Sequence, residues 1–172
     1  MSGLRDLKNE MLVSGHPVLV LVVGFHGAGK SSLISWLKKK FPDSYCISAS
    51  SLLSWESKDK RVEDVAANQI KLIAAIKEIE KVHSFIILDG HLCILNRNHE
   101  YEFVGMEVIH AIHPSMIVLV STDVDIVNRR LSNRDGQSTL SIGHIKDGLG
   151  LEWEWAHKVS TESHIPLYIT YS

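Results

Sequence analysis

Short runs rich in apolar and branched residues predict five strands along this chain. The most apolar of them are typical of strands that are buried on both faces of a sheet. The runs are Val18–Val23, Ser44–Ser48, Phe85–Asp89, Met116–Val120 and Leu167–Thr170. Between them, apolar residues recur at helical spacing, which predicts helices over Ser32–Phe41, Val62–Val82, Val124–Leu131 and Ile142–Thr161. A further short helix is predicted over Leu4–Val13, whereas residues 49–60 are predicted to form a mobile connection.

The order of these elements predicts the fold class. Strands and helices alternate, which favours an α/β fold in which a parallel sheet carries helices on both faces. Ligands of such folds bind beyond the carboxyl ends of the strands. Three polar segments fall at those ends, namely residues 24–31, residues 89–91 and the residues after Val120. The chemistry is therefore expected along one edge of the sheet.

The most specific motif lies between the first strand and the first helix. Residues 24–31 read Gly-Phe-His-Gly-Ala-Gly-Lys-Ser, which fits the phosphate-binding P-loop pattern G-x-x-x-x-G-K-[ST]. The glycines allow successive backbone N–H groups to point into one concavity. Lys30 is expected to reach the β- and γ-phosphates of ATP, and the hydroxyl of Ser31 is expected to bind Mg²⁺.

Acidic and basic residues at the other strand ends complete the predicted catalytic set. Asp89 closes an apolar strand, where the second acidic group of P-loop proteins holds Mg²⁺ directly or through water; the alternative is that it caps a turn with Gly90. Arg130 and Arg134 are four residues apart on one helical face. They are predicted to stabilise the charge of a transferring phosphoryl group, the alternative being a solvated basic face. His91 is predicted to contact the acceptor.

Composition narrows the possible partners. The chain has 172 residues and a net charge of −2, so we expect one domain, with residues 1–16 as an extension, and no general attraction to nucleic acid. The two cysteines fit free thiols in a reducing compartment. No run of about 18 apolar residues predicts a membrane span, and no signal peptide is recognised. We therefore expect a cytoplasmic monomer or homodimer without membrane partners.

Taken together, the motifs resemble those of the P-loop nucleotide kinases, in a layout similar to archaeal-type adenylate kinases. They are the P-loop, Asp89-Gly90-His91, residues 113–120, and Asp123 followed by residues 129–135. The resemblance runs from about Val18 to Ile169. It implies a three-layer P-loop fold with five parallel strands, an acceptor segment at about 49–69 and an arginine-bearing lid at about 129–141.

The resemblance also implies roles for individual residues. The residues implied to bind the donor triphosphate are Gly24, His26, Gly27, Ala28, Gly29, Lys30, Ser31 and Ser32. Arg130 and Arg134 would belong to the lid, while Arg61, Asn68 and Gln69 would lie in the acceptor region.

These observations predict an ATP-dependent kinase with a nucleoside monophosphate as acceptor. A hydroxyl acceptor is usually activated by a carboxylate after the second strand, and here residues 48–54 contain none, although Asp89 could serve as a base. The alternatives are a kinase of another small molecule or of a polynucleotide end, a nucleotide-binding ATPase or switch, and a nucleotide binder that recognises a partner protein.

Overall fold

The computed structural model describes residues 16–54, 65–95, 100–135 and 140–172. Its strands, in chain order, are β1 (Val18–Val23), β2 (Tyr45–Ser48), β3 (Phe85–Asp89), β4 (Cys93–Leu95), β5 (Tyr101–Phe103), β6 (Met116–Ser121) and β7 (Leu167–Tyr171). Its helices are α1 (Lys30–Lys40), α2 (Ala49–Ser54), α3 (Val65–Glu80), α4 (Met106–Ile112), α5 (Val124–Asp135) and α6 (Ile142–Ser163).

Five strands form one parallel sheet in the order β2-β3-β1-β6-β7. The fold class predicted from the sequence is therefore confirmed. The two short strands β4 and β5 pair antiparallel in a separate hairpin, which the sequence did not predict because each strand has only three residues.

The two faces of β1 are buried by different helices, which explains why its residues are continuously apolar. Leu19 and Leu21 pack in a cluster with residues of α3, α4 and α6, whereas Val20 and Val22 pack with residues of α1. All six residues of β1 are buried. Burial on both faces removes the alternation that a strand with one solvated face would show.

Residues 49–54 correct the prediction of a mobile connection, because they form the helix α2. Ser48 starts it: its hydroxyl accepts a hydrogen bond from the backbone N–H of Ser51 at 3.1 Å. Leu52 holds it against the core, where the side chain is buried. A short helix with one buried side chain has no clear period in the sequence. The rest of that segment, residues 55–60, lies outside the described residues.

Strands β1 and β3 have the predicted bounds, and the other predicted strands and helices that the structure describes have shifted ends. Helix α4 was not predicted, and α5 and α6 continue to Asp135 and Ser163. The predicted helix over Leu4–Val13 lies outside the described residues. Among the helices that are described, none combines the length and the apolar character that crossing a membrane requires.

Candidate active site

The P-loop leaves the carboxyl end of β1 in a conformation that requires glycine. Gly24, Gly27 and Gly29 have φ values of 149°, 80° and 107°, which residues with a Cβ rarely adopt. A Cβ atom on Gly24 would also lie 2.5 Å from the carbonyl oxygen of Val120. The loop is thus shaped by its own backbone and by its close approach to β6.

The end of β3 brings the acidic segment beside this loop. Asp89 pairs with Val22 across the parallel ladder, and the N–H of Gly90 donates to the carbonyl of Val22 at 3.0 Å. Because neighbouring parallel strands end at the same edge, residues 89–91 lie next to the start of the P-loop. The structure thus brings residues 89–91 beside residues 24–31, and the third segment of this edge, the residues after Val120, begins next to Gly24.

The side chain of Lys30 points back toward the place where the start of the P-loop meets residues 89–91, which is called the junction below. Its ammonium Nζ donates to the carbonyl of Gly24 at 2.6 Å and lies 3.3 Å from Nε2 of His91. The residue is only 8% exposed. Burial lowers the pKa of Lys30, and the negative charges of Asp89 and Glu152 oppose that shift. A poorly hydrated ammonium at the loop is available to a phosphate without a large loss of hydration.

Two histidine rings lie near Lys30. The centroids of His26 and His91 are 4.1 Å apart. Burial lowers the pKa of His91 to about 2, with a further contribution from the positive charge of Lys30. Burial also lowers the pKa of His26, and the positive charges of Lys30 and Arg134 lower it further. Both rings are therefore neutral near pH 7 and add no charge to the loop.

Asp89 carries a buried oxygen atom, Oδ1, that lacks a hydrogen-bond partner among the described residues. Burial raises the pKa of Asp89, and the nearby Lys30 partly opposes this. A buried acceptor of this kind is costly, so it points to a polar group supplied by a ligand.

The oxygens of Ser31 and Asp89 are of the type that Mg²⁺ binds. Ser31 is exposed in the first turn of α1, directly after Lys30. The orphaned Oδ1 of Asp89 provides a carboxylate oxygen at the neighbouring strand end. The oxygens of Ser31 and Asp89 therefore fit Mg²⁺, the ion that usually accompanies a nucleoside triphosphate.

Arg130 contacts the back of the loop. Its Nη1 donates to the carbonyl of Gly27 at 3.1 Å and to the hydroxyl oxygen of Ser172 at 3.0 Å. The Ser172 hydroxyl donates in turn to the carbonyl of Ala28. The structure thus shows Arg130 supporting the loop backbone. Arg134 is exposed near the end of α5, close enough to His26 to lower its pKa.

The remaining predicted residues are less closely assembled. Asn68 and Gln69 are partly buried near the start of α3, which comes after β2 and α2 in the chain. Arg61 and residues 136–139 of the predicted lid lie outside the described residues. Ser32 is exposed beside Ser31 on α1.

Glu152 was missed by the sequence analysis although it belongs to this junction. It is 1% exposed and accepts hydrogen bonds from the backbone of Gly24, Leu92 and Cys93. A signal was present: Glu152 stands in the buried stripe of α6 together with Ile145, Ala156 and Val159. A charged residue at an apolar position of a helix is expected to have buried partners.

Comparison with known proteins agrees with this architecture. The family model described as "AAA domain" matches residues 23–146, so the chain belongs to that family. No curated protein matches the sequence significantly.

Two shikimate kinases and a gluconokinase are among the solved structures that are similar to the chain. The shikimate kinase of Acinetobacter baumannii in complex with shikimate has a TM-score of 0.56 and 12% identity, with 91% of this chain and 84% of that chain covered. The shikimate kinase of Bacteroides thetaiotaomicron has a TM-score of 0.57 and 17% identity, with coverages of 90% and 86%. A gluconokinase from Sinorhizobium meliloti 1021 has a TM-score of 0.53 and 14% identity, with coverages of 91% and 83%. At these identities the likeness establishes the fold alone, which is that of P-loop kinases.

Proposed function

We propose that this protein is an ATP-dependent phosphotransferase that acts on a small molecule. The observation that carries the proposal is the junction of the P-loop with the end of β3, where Lys30 and Asp89 lie close enough for the charge of each to affect the pKa of the other. The fold shared with kinases of small molecules supports it. The backbone N–H groups of the loop and the ammonium of Lys30 hold the phosphates of ATP and stabilise the charge that develops during transfer. Ser31 and Asp89 would hold Mg²⁺, which when bound would supply further positive charge to the phosphates.

A hydroxyl-bearing acceptor has the better support among the described residues. The unpartnered Oδ1 of Asp89 can accept the proton of a hydroxyl as it attacks. The end of β2 offers the hydroxyls of Ser48, Ser50 and Ser51, which can hydrogen-bond to a polyol or hydroxy acid. The arginines of the described residues lie on α5, which follows β6 on the opposite side of the P-loop from β2. They are therefore not placed to bind an acceptor phosphate at the end of β2.

A nucleoside monophosphate is the second acceptor that we propose. The motifs that resemble nucleotide kinases favour it, and its phosphate would need no base. In that case, Arg61, Asn68 and Gln69 are the residues proposed to bind it, and Arg61 is the cation that would pair with the acceptor phosphate.

A panel of acceptors tests both proposals. The protein is incubated with MgATP and single nucleoside monophosphates, nucleosides, sugars or hydroxy acids, and the formation of ADP is followed. ADP that depends on a sugar or hydroxy acid supports the first acceptor class, and ADP that depends on a monophosphate supports the second. Hydrolysis that no acceptor accelerates would instead indicate an ATPase or switch, and ADP formation equal to that of Lys30→Ala would reject a kinase.

Asp89 can act as a base or as a magnesium ligand, and one variant separates the two roles. If Asp89 is the base, Asp89→Asn lowers kcat at every magnesium concentration. If it holds the ion, the variant raises the magnesium concentration that gives half-maximal activity and recovers part of kcat at high magnesium.

A further inference from the structure

Glu152 places a carboxylate in the interior behind the P-loop. One of its oxygens, Oε1, accepts from the N–H of Gly24 at 3.0 Å and from that of Leu92 at 3.0 Å. The other, Oε2, accepts from the N–H of Cys93 at 2.8 Å. Burying a carboxylate is unfavourable unless such donors replace its water, so the three N–H groups are held close to the side chain.

The three donors come from the two segments that form the site. Gly24 opens the P-loop, and its carbonyl accepts the hydrogen bond from Lys30 Nζ at 2.6 Å. Leu92 directly follows His91 and lies three residues after Asp89. One carboxylate on α6 is thus bonded to the donor-phosphate loop and to the segment that carries Asp89.

This bridge lies where the sheet no longer holds the two segments together. The ladder between β1 and β3 ends with the pair Val22 and Asp89, and the last backbone bond across it joins Gly90 to Val22. Beyond that point Glu152 bridges residue 24 to residues 92 and 93. Its position therefore sets how far the base of the loop lies from the turn that carries Asp89 and His91.

We propose that Glu152 is a positioning residue that keeps Lys30 and Asp89 in register for phosphoryl transfer. This inference rests on the proposed kinase function. A displacement of about 1 Å at a reacting centre can lower a rate about 100-fold, so a bridge of this kind influences turnover without touching either substrate. It is expected to affect kcat more than the binding of ATP, because the loop still presents its N–H groups to the phosphates.

The variant Glu152→Gln tests the proposal. The amide can still accept through one oxygen, but its NH₂ group faces a backbone N–H, which breaks one arm of the bridge. We expect kcat to fall by about 10- to 100-fold while the KM for ATP changes by less than about threefold. The matched control is Glu154→Gln, which makes the same change at an exposed position of α6 and should leave both constants unchanged.

Hydrogen exchange in the wild-type protein gives a second measurement that does not need a folded variant. Binding of a non-hydrolysable ATP analogue should slow exchange at the amides of Leu92 and Cys93 as well as at the P-loop. In Glu152→Gln the amide oxygen can keep the bonds from Gly24 and Leu92, so the analogue should still slow exchange at the loop and at Leu92 but no longer at Cys93.

The outcomes separate this proposal from the proposed function. If the analogue does not bind to the wild-type protein, the kinase proposal itself fails. If it binds and exchange at Leu92 and Cys93 is unchanged, the positioning role alone is overturned. Equal kcat values for Glu152→Gln and Glu154→Gln would overturn it too, as would a loss of activity that only matches a loss of folded protein.

Discussion

Lys30 and Asp89 carry opposite charges, and burial disfavours both of them. The pKa of Lys30 is lowered and that of Asp89 is raised, each mainly by the loss of water. Each is also the neighbour that opposes the shift of the other. The pair is therefore less costly together than either residue alone, and changes at one should be felt at the other.

Replacing Lys30 by alanine should remove most of the activity. The triphosphate loses its nearest fixed cation, and such contacts contribute about 100- to 1,000-fold in rate. The formation of ADP under saturating ATP measures the effect. Lys39→Ala, on the same helix but exposed, is the control. An activity of Lys30→Ala equal to that of the control would contradict the assignment.

Replacing Asp89 by asparagine should raise the stability of the protein at neutral pH while activity falls. The raised pKa means that the folded state binds more protons than the unfolded state between the ordinary carboxyl value and the raised one. Stability is therefore lost as the pH rises through that window. The amide introduced by Asp89→Asn does not titrate. The variant should thus be as stable as the wild type at low pH and more stable than the wild type at pH 7.

Urea unfolding at a series of pH values measures this difference. A stability gap that stays constant from low pH to pH 7 would show that the charge of Asp89 is not responsible.

At the scale of single residues, the sequence identified the groups whose chemistry depends on a motif or a strand end. Lys30 and Asp89 belong to such signals. Glu152 and Ser172 do not, because they bond to backbone N–H and carbonyl groups of the P-loop, 128 and 144 positions away in the chain. A single sequence contains no record of those pairings.

At the scale of elements, helix α6 packs against the P-loop at Phe25. A Cβ atom on Gly148 would lie 2.2 Å from Cε2 of Phe25, a buried residue of the loop. A Cβ atom on Gly150, two positions further along the helix, would meet nothing within 4 Å. The same substitution should therefore have opposite effects at these two sites.

Gly148→Ala should destabilise the protein by about 1–3 kcal/mol, because the added methyl group has to displace a packed ring. Gly150→Ala should stabilise it by up to about 1 kcal/mol, because alanine favours the helix. Thermal or urea unfolding measures both. The interpretation fails if both variants shift the free energy of unfolding in the same direction.

Helix α5 stabilises the P-loop through a hydrogen bond from Arg130 rather than through packing. Arg130→Ala removes the hydrogen bond to the carbonyl of Gly27, so the loop should bind ATP less tightly. We expect the KM for ATP to rise by about three- to tenfold, which corresponds to one hydrogen bond. Arg129→Ala, the exposed neighbour, is the control. A change in kcat with an unchanged KM would instead place Arg130 at the transferring group.

The elements themselves were predictable where apolar residues keep a clear period. The bounds of β1 and β3 agree with the sequence analysis, because both strands are buried on both faces. The hairpin of β4 and β5 and helix α2 were not predictable, because they are short and depend on contacts with the rest of the protein.

At the scale of the whole molecule, the order of the sheet decides where the site lies. β1 stands at the centre between β3 and β6, so the P-loop lies between the turn of Asp89 and the start of α5. The alternation of strands and helices predicts this edge. It does not predict the order β2-β3-β1-β6-β7, because many strand orders are compatible with the same alternation.

The anchors of the P-loop have a consequence for how the chain folds. The loop follows β1, yet the bonds that hold it come from Arg130, Glu152 and Ser172, at separations of 103, 128 and 144 residues. Contacts of such long range are expected to form late, because earlier contacts must first offset the conformational entropy that is lost when large loops close. A refolding chain should therefore acquire its affinity for nucleotide only in the final step.

Stopped-flow measurements with a non-hydrolysable ATP analogue can examine this timing. The analogue should slow unfolding and leave the refolding rate unchanged, because a ligand that meets no formed site in the transition state stabilises only the native state. Acceleration of refolding by the analogue would mean that the loop is already assembled at the barrier. If the loop is completed last, nucleotide preserves the finished protein against unfolding but does not help the chain to reach that state.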